Sequence, residues 1–175
     1  PPHRTEADRA MIALRAARGE DRAGLLALWV AAWRQVFPDI DFAARVAWFE
    51  THLDDWLAKG AVLTVAQDEA GLAGFSLFDA ASGVMDQLCI APRAQGTGVT
   101  RALMGALKAE APRIALTVNR DNKRALRYYE REGFRVTGES VNPRSGLPIL
   151  AMEWRRGAGD SLLPASGEKV ARSAG

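Results

Sequence analysis

Residues 84–118 hold the pattern that most limits what this chain can fold into. Val84 to Ile90 reads as a strand, and Pro92 ends it. The stretch Gln95-Gly96-Thr97-Gly98-Val99-Thr100 follows as a loop with two glycines. Val99, Ala102, Leu103, Ala106 and Leu107 then recur at i, i+3, i+4, i+7 and i+8, one face of a helix. Pro112 breaks that helix, and Ile114 to Val118 makes another strand. Strand, glycine loop, helix and strand in this order call for a sheet with a helix laid against it.

The flanking segments extend that sheet. Ile12 to Ala16 alternates as a short first strand. Asp21 is positioned to cap a helix bearing Leu25, Leu28, Trp29, Ala32 and Val36, which Pro38 ends. Asp41 starts a second helix, with Phe42, Val46, Phe49, Leu53, Trp56 and Leu57 on one stripe, and Gly60 stops it. Ala61 to Ala66 and Leu72 to Phe78 flank the turn residues Asp68 to Gly71 as a hairpin. Asn122 to Glu132 is helical, and Gly133 suits its C-terminal end. Phe134 to Val136 and Ile149 to Trp154 read as final strands around the loop at Asn142 to Gly146. The fold class is α/β (α+β): one domain, a mixed sheet flanked by helices. It spans 11–156, after an N-terminal extension at 1–10 and before a Gly/Ser/Ala-rich tail at 157–175.

Composition narrows the function classes. A chain of 175 residues with 48% hydrophobic content suits one domain with one core. The net charge is only +2 and no basic stripe is interleaved with aromatics, so nucleic acid is not an expected partner. No apolar run approaches the roughly 20 residues that cross a bilayer, and Pro1-Pro2-His3-Arg4 lacks the apolar core of a signal peptide. The single cysteine, Cys89, allows no intrachain disulfide and fits a reducing compartment, so a cytoplasmic location is expected. His3 and His52, the only histidines, have no zinc-ligand spacing, and no metal is expected.

The glycine loop is the first chemical signal. A strand-to-helix junction presents unpaired backbone N–H groups at the positive end of a helix dipole, and an anion is its natural guest. A phosphate loop of the Gly-Lys-Ser/Thr type fails, because Val99-Thr100 follows Gly98. A dinucleotide fingerprint needs glycine where Arg101 stands and an acid near Val118 and Asn119. A coenzyme A pyrophosphate arm and a plain turn before a helix both stay open on the loop alone.

The block from Thr117 to Phe134 discriminates. Asn122 is followed seven residues later by Tyr129 and then by Gly133-Phe134. Together with Gln95-Gly96-Thr97-Gly98-Val99-Thr100, this resembles the GNAT superfamily of N-acetyltransferases. Its cofactor loop runs Gln/Arg-x-x-Gly-x-Gly/Ala, and the resemblance covers about residues 10–155. Thr100 departs from it, standing where the family usually has Gly or Ala.

The resemblance implies a GNAT fold: a mostly antiparallel sheet of about six or seven strands with about four helices. It implies acetyl-coenzyme A as co-substrate and a primary amine as acceptor, with direct attack. Gln95, Gly96, Thr97, Gly98, Val99, Thr100 and Arg101 would hold the pyrophosphate, and Asn122 would reach the cofactor arm. Leu88, Cys89 and Ile90 would offer backbone groups to the pantetheine and the thioester carbonyl. Tyr129 would be the general acid. Some relatives carry a glutamate base five residues before the asparagine. Here that position is Thr117, so Asp86 is the candidate base, with a water relay as the alternative.

Other readings stay beside these. Asn122 also suits a helix cap, Tyr129 a core position with Ala125 and Leu126, and Tyr128 points off that face. Cys89 reads as a buried small hydrophobe rather than a nucleophile. Trp29, Trp33, Trp48 and Trp56 fall on core spacing, and Arg144 reads as a surface arginine that an acidic acceptor could meet. A non-catalytic acyl-coenzyme A sensor is the alternative function. The acceptor and the oligomeric state, a homodimer included, are open.

Overall fold

In the computed structural model, residues 11–157 are described. The extension at 1–10 and the tail beyond Gly157 lie outside them. Four residues, Ala13–Ala16, form strand β1, and helix α1 runs Arg22–Val36. Helix α2 is Val46–Ala58. The predicted hairpin is strand β2, Val62–Asp68, and strand β3, Gly71–Asp79. Strand β4 is Val84–Ile90, helix α3 Val99–Glu110 and strand β5 Arg113–Asn119. Helix α4, Lys123–Arg131, leads to strand β6, Arg135–Val141, and strand β7, Pro148–Arg155.

The strands form one sheet in the order β1-β2-β3-β4-β5-β7-β6. Every neighbouring pair is antiparallel except β4 and β5, which run parallel. That pair meets at a single register position, Val84 opposite Ala115, and the strands then part. Each half of the sheet is otherwise continuous: β4 pairs with β3 up to Ile90, and β5 pairs with β7 from Arg113 to Asn119. The sheet therefore opens at the C-terminal ends of β4 and β5.

Strand alternation assigns the helices to faces. Phe75 and Gly74 point to opposite sides of β3. The α2 residue Phe49 packs on Phe75, ring centroids 6.4 Å apart, so α1 and α2 cover that face. On the other face, a Cβ at Gly74 would come within 2.9 Å of Val99 Cγ1, so glycine there lets α3 approach the sheet closely. Helix α4 shares the α3 side: Lys108 Nζ donates to Glu132 Oε2 at 2.7 Å, and Met104 and Phe134 lie in one buried cluster with Ile114, Leu116 and Met152.

Three sequence expectations need correction. Asp21 sits at the start of α1 but does not cap it. Its backbone is already helical (φ −77°, ψ −16°), and its carboxylate accepts from Arg15 at 2.7 and 2.9 Å and from the Arg18 N–H at 2.7 Å. The second helix begins not at Asp41 but after a short 3-10 turn at Ala43–Arg45, where Asp41 Oδ1 accepts the Ala44 N–H. Leu57, expected on the buried stripe, is 38% exposed, because the sheet meets only the narrower Phe49–Leu53 face of α2.

Candidate active site

The glycine loop lies where the sheet opens. Gly98 is the N-cap of α3 with φ +101°, a conformation that an L side chain adopts only under strain, and its carbonyl accepts the Ala102 N–H at 2.9 Å. No side chain caps α3, so the first-turn N–H groups of Val99, Thr100 and Arg101 are free for an outside acceptor. Gly96 also has positive φ, and a Cβ on it would meet nothing within 4 Å, so this backbone faces open space. These features fit a diphosphate. Thr97 Oγ1 donates to the Ala94 carbonyl at 2.6 Å and steadies the turn. Gln95 ties it to two helices: Nε2 donates to Gln35 Oε1 at 2.7 Å, and Oε1 accepts from Arg124 at 2.5 Å. A cavity of about 260 Å³ adjoins the loop, between Gln35, Gln95, Asn122 and Arg124.

Past Val84, the edge of β4 that faces β5 has no strand partner, so the backbone at Leu88, Cys89 and Ile90 borders the opening. An extended chain could pair along it. The Cys89 side chain is buried, and burial, with Asp86 nearby, pushes its thiol pKa up. It is held as a thiol, which agrees with the reading of Cys89 as a small hydrophobe.

Tyr129 approaches the opening from α4. Its ring packs edge-on against Tyr128 and Phe134, with centroids 5.4 Å away in each case. No described residue hydrogen-bonds its hydroxyl. Burial raises its pKa, with smaller contributions from Tyr128 and from Cys89 across the gap. The phenol therefore keeps its proton at neutral pH. The Tyr128 hydroxyl is buried without a partner. Asn122 caps α4, its Oδ1 accepting the Ala125 N–H at 3.2 Å.

Asp86 approaches from the other side. Leu77 pairs with Gln87 and Phe78 with Met85, so Asp86 is the extra residue of a β-bulge. A bulge re-aims a side chain that alternation alone would send elsewhere. Here it lets the carboxylate meet α2: Oδ2 lies 2.7 Å from His52 Nε2 and accepts from Gln87 Nε2 at 3.0 Å. Gln87 Oε1 in turn lies 3.6 Å from Cys89 Sγ. Polar contacts thus run from α2 through β4 to the gap that Tyr129 borders. Asp86 is neither a solvated strand acid nor a helix cap.

Sequence reasoning missed His52 as a site residue. The available signal was its i±4 spacing from Trp48 and Trp56, whose rings flank it at 4.9 and 5.9 Å. It also missed that Arg144 stacks on Trp48, its guanidinium carbon 3.9 Å from the ring centroid. Thr117 is exposed and makes no part of this arrangement.

An uncapped helix start, a free strand edge and a half-buried phenol around one gap in a mixed sheet are the features that a coenzyme A-dependent acyltransferase requires. The chain belongs to the GNAT acetyltransferase family: residues 42–156 match the family model described as an acetyltransferase (GNAT) domain. It is 31% identical over 142 residues to the peptidyl-lysine N-acetyltransferase YjaB of Escherichia coli (strain K12), covering 79% of this chain and 92% of that one. The apo-form solution structure of that YjaB superposes with a TM-score of 0.64 at 30% identity, covering 82% of this chain and 97% of YjaB. A GCN5-related N-acetyltransferase from Rhodopseudomonas palustris shares the fold with a TM-score of 0.69 at 19% identity, covering 88% and 99%. The chain is thus an acetyltransferase whose donor is acetyl-coenzyme A. Among the described residues, no group of His, Cys, Asp or Glu is arranged to hold a metal, and no helix is long and apolar enough to cross a membrane.

Proposed function

We propose that this enzyme acetylates lysine ε-amines in proteins or peptides by direct attack, with Tyr129 as general acid and Asp86 acting as base together with His52. One observation carries this reading: a protonated phenol on α4 and a carboxylate paired with His52 of α2 both lie close enough to Cys89, on the unpaired edge of β4, to interact with it. The peptidyl-lysine activity in the name of the similar YjaB proteins supports the choice of acceptor.

Bound to the Gln95–Arg101 loop and the β4 edge, acetyl-coenzyme A supplies the acetyl group as an activated thioester. The residues of the chain do the rest. N–H groups at the start of α3 hold the diphosphate, Asn122 borders the coenzyme arm, and the Leu88–Ile90 backbone orients the chain that carries the thioester.

A lysine ammonium, with a reference pKa near 10.4, arrives charged and must lose a proton before its nitrogen can attack. In this step Asp86 holds the His52 tautomer by accepting a hydrogen bond from Nε2–H, which leaves the Nδ1 lone pair to take the proton from the ammonium. Tyr129 Oη then delivers its own proton to the departing sulfur. In reference terms, a phenol near 10 giving a proton to a thiolate near 8.5 is uphill by about one and a half units. The burial that raises the phenol also destabilises a thiolate in the same gap, which keeps the step within reach.

The test is thiol release from acetyl-coenzyme A over single-lysine peptides, with the acetylated atom located by mass spectrometry. Acetyl-lysine as the product supports the reading. Coenzyme binding without thiol release, or transfer only to α-amines or small amines, contradicts it.

A further inference from the structure

Arg144 is held in place, and its charge has no ion-pair partner among the described residues. Asn142 Oδ1 accepts the backbone N–H of Arg144 at 2.9 Å and of Ser145 at 3.4 Å, and the Gly146 N–H closes the loop on the Asn142 carbonyl at 2.8 Å. The guanidinium carbon lies 3.9 Å from the Trp48 ring centroid. Stacking of this kind fixes the plane of the group and uses none of its five donors. Arg15, Arg93 and Arg113 each meet a carboxylate at 2.6 to 2.7 Å, whereas Arg144 forms no ion pair among the described residues.

Its position gives this a consequence. Trp48 stands 4.9 Å from His52, ring to ring, so Arg144 looks onto the approach to the His52–Asp86 pair. Arg45, the residue just before α2 and three before Trp48, adds a second cation, its guanidinium carbon 5.6 Å from the Phe42 ring centroid. A lysine ammonium nearing two guanidinium groups is repelled unless its own molecule brings compensating negative charge. A carboxylate offers that charge in the planar form that a guanidinium binds through two parallel N–H bonds.

We propose that Arg144, seated on Trp48, binds a carboxylate of the acceptor, so that the preferred substrate is a peptide lysine with Asp or Glu one or two residues away. Residues two apart in an extended peptide lie about 7 Å from each other, a separation that suits a lysine at His52 and an acid past Trp48. This rests on the lysine-acceptor reading above.

The test uses the full chain, acetyl-coenzyme A and single-lysine peptides that differ only in Asp or Glu against Asn or Gln beside the lysine. The acidic peptide should show kcat/KM on the order of tenfold higher, mostly through KM, with the ratio shrinking in high salt. In Arg144→Ala the ratio should fall to about one, in Arg144→Lys it should be partly kept, and in Arg144→Glu it should turn towards peptides with basic neighbours. Equal rates on acidic and amide peptides, or a preference that survives Arg144→Ala, overturn this inference and leave lysine acetylation standing. Failure to acetylate any peptide overturns both.

Discussion

His52 Nε2 lies 2.7 Å from Asp86 Oδ2, joining helix α2 to the bulged residue of strand β4. If the pair takes the ammonium proton, His52→Gln and Asp86→Asn should each lower kcat/KM on a lysine peptide by roughly a hundredfold. The double variant should lose little more than either single one, since both act on one proton. Steady-state kinetics on the three variants test this; an unchanged kcat/KM in His52→Gln removes the pair from the reaction.

Gly98 takes φ +101° at the start of α3. Gly98→Ala should cost about 1–2 kcal/mol of stability and weaken acetyl-coenzyme A by tilting the first-turn N–H groups. Denaturant melts and calorimetry read the two effects separately. Unchanged coenzyme affinity in a destabilised variant would separate the helix start from the diphosphate.

Cys89 is a buried thiol with its pKa pushed up, so it should form no acetyl-enzyme. Cys89→Ala keeps the β4 backbone and should retain turnover, with sequential rather than ping-pong kinetics. Abolished transfer in a folded, coenzyme-binding Cys89→Ala would contradict direct attack.

Much of this was legible in the sequence, and the parts that were not share a cause. The glycine loop, α3 and α4 are local patterns: Val99 and Leu103 recur at helical spacing, and Asn122 caps the helix that it begins. The single register contact between β4 and β5 is a lack of pairing, which leaves no mark on either strand. The bulge that re-aims Asp86 is equally silent. Its partner His52 is 34 residues away and belongs to a helix stripe that reads as core. Asp21 was expected to cap α1, because a helix start with an acid is a local signal, whereas Arg15 reaches it only once β1 has turned back. Arg144 was legible as a residue type but not as a cation stacked on Trp48.

The Arg15–Asp21 contact makes a stability prediction. The Arg15 guanidinium and the Arg18 N–H hold the Asp21 carboxyl down at about 2. A depressed carboxyl favours the folded state at any pH above its unfolded value near 3.9, and that advantage disappears as pH falls towards 2. Asp21→Asn should therefore cost roughly 2 kcal/mol at pH 7, with the gap to wild type closing in acid. Urea melts at pH 7 and below pH 3 check it; a pH-independent gap would assign the loss to packing instead.

In the proposed reaction Tyr129 gives its proton to the departing sulfur, and its replacement is the most direct test of the account. Tyr129→Phe keeps the ring against Tyr128 and Phe134 and removes only the hydroxyl. Single-turnover transfer to a lysine peptide, with the acetyl-coenzyme A Kd measured on the same preparation, should show a rate lower by roughly 10²–10³ at nearly unchanged affinity. An unaltered rate, or a loss explained wholly by weaker coenzyme binding, would contradict Tyr129 as the acid.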